Sequence, residues 1–310
     1  MAEITLNSLL YDMKDPEGLV RDAEKKYFSS LKGLAMKISE SKNIRIVLLA
    51  GPSASGKTTT AKILSDLIKD LGEKSTVISL DNFYRCADDK RYPRLEDGTP
   101  DRESPYALDL DMLKGTMESI MAGREFDVPV YDFETGTRAK MIHHTSYAEG
   151  CVIIEGLHAL NPIISASFTQ ERVIKIFVSV STNISNSNRR IISGRRLRFV
   201  RRVVRDSIYR GTDAESTVAM WQQVLRGEDA YLYPYKNLAD IKFDTFHAFE
   251  PAVMKPYAQK LLTKELREKS VYVDNVAKAL ELMPSWDSDI VPETSLIREF
   301  IPGGIYENTD

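Results

Sequence analysis

A glycine, four residues and then Gly-Lys-Thr occupy positions 51–58 as "GPSASGKT", directly after the apolar run "IRIVLLA" at 44–50. No other stretch narrows the fold as much. Glycines let a backbone curl until successive N–H groups point inward, and a helix that follows adds its positive end. Such a loop needs a buried strand before it and a helix after it. Both are present: "IRIVLLA" reads as a strand covered on both faces, and Ala61, Leu64, Leu67, Ile68 and Leu71 fall at helical spacing over 58–71, closed by Gly72. The loop is therefore expected to cradle phosphates through Gly51, Pro52, Ser53, Ala54, Ser55, Gly56, Lys57, Thr58 and Thr59. Lys57 is placed to reach β- and γ-phosphates, and the Thr58 hydroxyl to take Mg2+.

The pattern beyond the loop alternates strand and helix. "STVISL" (75–80), "CVIIE" (151–155), "VIKIFVSV" (173–180) and "IKFDTF" (241–246) read as strands. Leu110, Leu113, Met117, Ile120 and Met121 mark a helix over 109–122 that closes at Gly123, and 126–146 reads as a hairpin turning near "ETGT". Alternation of this kind predicts an α/β fold, a three-layer P-loop NTPase sandwich around a parallel sheet. The core is expected over 44–250. Residues 1–43 read as a charged, weakly helical extension. Residues 252–283 read as helical, and 284–310, with prolines at 284, 292 and 302, as an irregular tail wrapping the surface.

Composition excludes several classes. The 310 residues carry a net charge of −3, so the surface as a whole has no bias toward nucleic acid. The two cysteines, Cys86 and Cys151, allow neither a disulfide framework nor a zinc spacing, and both read as free thiols, with Cys86 expected to be buried. No apolar run approaches the 18 residues of a membrane span, and no signal segment is evident at the start. A cytoplasmic protein is expected, and homo-oligomerisation is compatible with the pattern.

A phosphate loop needs carboxylates nearby for metal and proton chemistry. Glu155 ends the strand "CVIIE" and Asp81 ends "VISLD", both at the carboxyl edge where parallel sheets bind ligands. Either alone could be a solvated strand-end acid; together beside such a loop they are candidates for metal binding and catalysis. Nine arginines and one acid, Asp206, fall within 189–210, a local net of +8. Arg198, Arg201, Arg202 and Arg205 share one helical face, beside an apolar stripe of Leu197, Val200, Val204 and Ile208. The stretch contains no lysine. Guanidinium groups suit phosphate oxygens better than ammonium groups do, which favours a lid from about 195 to 211 over a solvated or nucleic-acid-binding helix. "TDAE" (212–215) reads as a capping box for the next helix, and Gly211 as a hinge.

Six strings in order, "GPSASGKTT", "SLDNFYR", "VPVYDFETGTR", "VIIEGLHALNP", "RRVVRDSIYRG" and "YKNLADI", resemble the uridine kinase/phosphoribulokinase family over about residues 44–245. The ending "SLIREFIPGG" is similar to that of a bacterial uridine kinase-like branch. The resemblance implies an ATP- and Mg2+-dependent kinase of a small-molecule hydroxyl, most directly a nucleoside 5′-hydroxyl. It implies Asp81 as general base and Glu155 as metal-linked acid. Arg201, Arg202, Arg205 and Arg210 correspond to lid arginines on ATP. The hairpin becomes a substrate module, with Tyr131 at the base and Glu103 standing where the family has an aspartate on the ribose. Tyr84 and Arg138 join as substrate contacts, Tyr84 and Phe83 also reading as packing residues. Two positions depart from the family: Gly136 replaces the hairpin histidine that reads the pyrimidine, and Thr212 replaces an arginine near the nucleoside. His143, His144 and His158 form no metal spacing and read as structural. A GTPase-type hydrolase is disfavoured because no Asn-Lys-x-Asp occurs, the nearest string being "NLAD" at 237–240.

Overall fold

The computed structural model describes residues 2–306, apart from 42–43, 134, 148–149, 167, 169–171 and 188. In chain order the elements are β1 (Glu3–Thr5), α1 (Leu6–Asp12), α2 (Pro16–Glu40), β2 (Ile46–Ala50), α3 (Lys57–Asp70), β3 (Ser75–Ser79), α4 (Leu110–Met121), β4 (Phe126–Asp132), β5 (Thr137–His144) and β6 (Cys151–Glu155). They continue with α5 (Pro162–Ser165), β7 (Val173–Ser179), β8 (Asn183–Asn186), β9 (Arg189–Ile192), α6 (Gly194–Tyr209), α7 (Ala214–Tyr231), β10 (Ile241–Asp244), α8 (Glu250–Leu261), α9 (Lys264–Lys269) and α10 (Val271–Glu281).

Five strands form one parallel sheet in the order β10-β7-β2-β6-β3. Strand β2 sits at its centre and all five of its residues are buried. Their alternation builds the layers. Ile46, Leu48 and Ala50 face one core with Leu113 and Met117 of α4; Val47 and Leu49 face the other with Ala61, Leu64 and Ile68 of α3. Helices on both faces of a parallel sheet make the expected three-layer α/β sandwich. Strands β4 and β5 pair antiparallel as the expected hairpin, with a register shift at Val130/Tyr131. Its turn begins at Glu134, which lies outside the described residues. A third small sheet, β1-β8-β9, was not foreseen.

The ends of the chain differ from expectation. The described part of 1–43 is helical as expected, but not weakly so: α2 runs 25 residues from an Asp15 cap that accepts the Gly18 N–H, with Pro16 in its first turn. Its Tyr27 hydroxyl meets Thr60 Oγ1 of α3 at 2.9 Å. The described tail is irregular as expected, but it does not simply wrap the surface. Leu296, Ile297, Phe300 and Ile301 are fully buried in the same core as α3 and α6. Prolines mark where a chain cannot be helical, but they do not decide whether flanking Leu, Ile and Phe are buried. The helix after the arginines starts at Ala214 and is capped by Asp213, which accepts the Ser216 N–H at 2.7 Å, not by Thr212. Gly211 has φ 59° and breaks α6 from α7 as expected.

Candidate active site

The phosphate loop joins β2 to α3 at the carboxyl edge of the sheet. Gly56 lies in the left-handed region (φ 84°), and so does Ala54 (φ 55°), which turns the loop back on itself. A Cβ at Gly51 would overlap the Val178 carbonyl. Ser55 Oγ is buried without a hydrogen-bond partner, an orphan hydroxyl in a cradle of backbone amides that fits an anionic ligand. Lys57 Nζ rests 3.2 Å from the loop's own Pro52 carbonyl.

Thr58 and Glu155 meet as the spacing predicted: Thr58 Oγ1 donates to Glu155 Oε1 at 3.2 Å. Glu155 is buried at the last position of β6, directly beside β2. A hydroxyl and a carboxylate are oxygen donors suited to a hard cation, so this pair fits Mg2+. Among the described residues no cluster of three or more His, Cys, Asp or Glu side chains is arranged to hold a metal.

Asp81 lies in a 3-10 turn (Leu80–Phe83) just past β3, whose last residue, Ser79, pairs with Glu155. Its side chain is exposed, so it does not point into the apolar interior. Glu103 comes from the loop before α4 and is half-buried. Burial pushes its carboxyl up to about 7; Arg202 and Lys57 oppose that rise, and Glu228 and Asp81 add to it. Lys57, Asp81, Glu103 and Arg202 thus share one electrostatic neighbourhood. Asp81 and Glu103 also act on Tyr84, whose hydroxyl donates to the Arg102 carbonyl at 2.9 Å. Tyr84, Tyr131 and Phe133 form an aromatic trio with centroids 5.0–5.7 Å apart. Asn82, next to Asp81, accepts the Tyr131 N–H at 3.2 Å and ties the hairpin to the turn.

The arginines divide into two sets. Arg198 and Arg201 are buried and paired. Arg198 binds both oxygens of Glu228 and the Ser53 carbonyl, and Arg201 binds both oxygens of Glu250 and the Thr245 carbonyl. Arg201 also lies 3.4 Å from the Ala54 carbonyl. Assignment of Arg201 to ATP is corrected accordingly: with 0% of its side chain exposed, it braces the loop from behind. The remaining three converge on Asp206. Arg202 Nε, Arg205 Nη2 and Arg210 Nη1 stand 3.2, 3.1 and 3.6 Å from its carboxylate. Arg202 also donates to Ser53 Oγ at 2.7 Å. With Glu299 3.7 Å from Arg205, two acids face three guanidiniums and an excess of positive charge remains; the neighbouring Arg205 charge pulls Arg210 down to about 10. From Leu197 to Val204 every residue except Arg202 is buried and belongs to the core, which leaves the stretch after Val204 as the part of 195–211 beyond it.

Arg138 has partners within the protein. It pairs with Asp109 at 2.9 Å and with the Tyr84 carbonyl at 3.3 Å, pinning the hairpin to the N-cap of α4. Gly136 (φ 67°) packs so closely on Ala87 that a Cβ would approach the Ala87 Cβ to 2.8 Å. Cys86 is half-exposed rather than buried. His158, fully buried with both ring nitrogens unpartnered, lies near Lys57 and Glu103, and burial pulls it down to about 3, so it is neutral.

Three acids escaped sequence reading. Glu228 accepts the Ser53 N–H of the loop at 2.9 Å, Glu250 neutralises Arg201, and Glu299 accepts the Thr59 hydroxyl at 2.7 Å. None of the three leaves a periodic signal, although the neighbouring Gly227, inside α7 where glycine costs helix stability, implies a packing reason at that point. A Cβ there would overlap Glu103.

Fold and site together define a P-loop nucleotide-binding protein of the three-layer α/β type, with acids and arginines gathered at the loop. The family model described as "Phosphoribulokinase / Uridine kinase family" matches residues 46–249, and the chain belongs to that family. It is 29% identical over 204 residues to a uridine-cytidine kinase-like 1 protein of Mus musculus, covering 66% of this chain and 34% of that protein. Similarity to a uridine kinase of Halobacterium salinarum is 26% over 194 residues, 62% of this chain and 76% of the relative. A uridine kinase of Deinococcus deserti is 27% identical over 210 residues, 67% and 91% respectively. The chain thus spans about a third of the mouse protein's length and most of the two microbial ones. Among the described residues no helix is long and apolar enough to cross a membrane.

Proposed function

We propose that the chain is an ATP-dependent phosphotransferase that moves the γ-phosphoryl group to a small-molecule hydroxyl, with a nucleoside 5′-hydroxyl as the first candidate. The observation that carries this is the shared neighbourhood of Lys57, Asp81, Glu103 and Arg202 beside the loop. Hydrolysis needs no acceptor site, whereas Asp81 and Glu103 both act on Tyr84, a member of the aromatic trio, and Glu103 is also acted on by Lys57 of the loop, which supports an acceptor site there. Backbone amides of 51–58 and Lys57 would hold the polyphosphate. Asp81 would accept the acceptor's proton and aim its oxygen. Arg202, Arg205 and Arg210 would neutralise charge developing on the transferring group, and closure at Gly211 would exclude water. Thr58 and Glu155 would hold Mg2+, which supplies charge neutralisation at the phosphates when bound.

Glu103 and Tyr131 are assigned to the acceptor. Gly136 leaves no room for a side chain that reads a pyrimidine, so acceptors beyond uridine and cytidine belong in the test. ADP release with Mg-ATP should be measured over a panel of nucleosides, sugars and other alcohols. Release that depends on one acceptor class is expected. Fast release without any acceptor would assign a hydrolase instead. Asp81→Asn should spare ATP binding and lower kcat by about 10²–10⁴; lost ATP affinity with an unchanged rate would make Asp81 a metal ligand.

A further inference from the structure

We propose that Glu299, on the C-terminal segment outside the family match, reads the nucleoside half of the donor nucleotide. This rests on the kinase reading above. Glu299 Oε2 accepts the Thr59 hydroxyl at 2.7 Å, and Oε1 stands 3.7 Å from Arg205 Nη1. Thr59 is the last residue given to the phosphate loop, so the carboxylate borders the loop where it passes into α3. The segment is fixed there. Leu296 packs on Gly56, Phe300 lies under the Arg201 guanidinium at 4.9 Å, and Arg298 binds the carbonyls of Ser288 and Val291.

Chemistry then selects what faces it. An ionised carboxylate only accepts hydrogen bonds, and phosphate oxygens offer it none while repelling its charge. The groups of a nucleotide that donate are the ribose hydroxyls and the exocyclic amine. Lys57 and Asp81 both act on Glu103, which the kinase reading gives to the acceptor, while Glu299 shares its surroundings with Tyr27, Thr59 and Arg205, the last also reaching Asp206. A carboxylate held beside Thr59, with 16% of its side chain exposed, is therefore assigned to the sugar or base. The family-matched core without residues 250–306 would then lack part of its donor site.

The test compares two probes, Mg-ATP and inorganic tripolyphosphate with Mg2+, by titration calorimetry on the full-length wild type, Glu299→Gln and Thr59→Val, each checked for folding by its melting temperature. Glu299→Gln is expected to weaken Mg-ATP about tenfold, the scale of one charge-assisted hydrogen bond, and to leave tripolyphosphate unchanged or tighter. Thr59→Val, which frees the carboxylate without removing it, should give a smaller loss in the same direction. Comparing 2′-deoxy-ATP and inosine triphosphate separates sugar from base recognition. Equal weakening of both probes would make Glu299 a mere brace of the loop and overturn the proposal. Unchanged Mg-ATP affinity, or tightening of both, would overturn it as well. Wild-type protein that folds and does not bind Mg-ATP would instead refute the kinase reading itself.

Discussion

Glu228→Ala probes how the loop is held. Glu228 is fully buried in α7, and its two oxygens accept from Ser53 N–H at 2.9 Å and from Arg198 Nη1 and Nη2 at 2.7 and 2.8 Å. The Arg198 side chain is 1% exposed. Alanine would leave that guanidinium buried with the Ser53 carbonyl at 2.8 Å and only a 3.5 Å contact to the Tyr233 hydroxyl. Removing one partner of a buried ion pair costs about 3–5 kcal/mol, because the other charge is left uncompensated. The orphaned Ser53 N–H costs about 1–3 kcal/mol alone, but the two losses share one site and do not add in full. A loss of about 4 kcal/mol corresponds to about 6 °C in Tm for a chain of this size. Calorimetric or fluorescence melting measures it, with Mg-ATP titration alongside to report the loosened loop. The double variant Arg198→Met/Glu228→Leu removes both charges and should recover most of the stability. A loss below about 1 kcal/mol in the single variant, or a double variant as unstable as the single, would refute the account.

Gly227→Ala should act against helix propensity. Alanine normally gains about 1 kcal/mol over glycine inside a helix, yet here its Cβ would overlap Glu103. A lower Tm and a raised acceptor KM, with Mg-ATP affinity unchanged, are expected; a stabilised variant with wild-type KM would show that Glu103 simply moves aside. Glu24 offers a pH test. It accepts a hydrogen bond from Ser295 and sits 3.8 Å from the neutral His247, and burial pushes it up to about 7. An acid raised in the fold penalises its own ionisation. Its contribution to stability is full below its unfolded value near 4.5 and is lost as pH rises through about 7. Glu24→Gln should therefore match wild type at pH 5 and exceed it by up to about 3 kcal/mol at pH 8. A stability difference that is flat with pH would contradict this.

Much of the molecule is written locally. The loop with its flanking strand and helix follows from glycine spacing and from apolar periodicity, and so do the buried strands and the hairpin. The meeting of Thr58 with Glu155 was legible too, because parallel strands deliver their carboxyl ends to one edge. The arginine helix was legible as a helix but not in its roles. An arginine stripe beside an apolar stripe does not show which guanidiniums enter the core, since that depends on acids from elsewhere in the chain. Arg198 and Arg201 are claimed by Glu228 and Glu250, leaving Arg202, Arg205 and Arg210 around Asp206. The pairing of Arg138 with Asp109, which pins the hairpin, was likewise not legible.

The sequence by itself determined the phosphate cradle and the layers that present it, because backbone conformation and side-chain periodicity are properties of neighbouring residues. Only the tertiary structure decided what braces and borders the cradle. Ser53 meets Glu228 across 175 residues, and Thr59 meets Glu299 across 240. A single carboxylate in a distant helix or tail leaves no periodic trace. Its role is set by burial beside a donor, and burial is known only once the chain has packed.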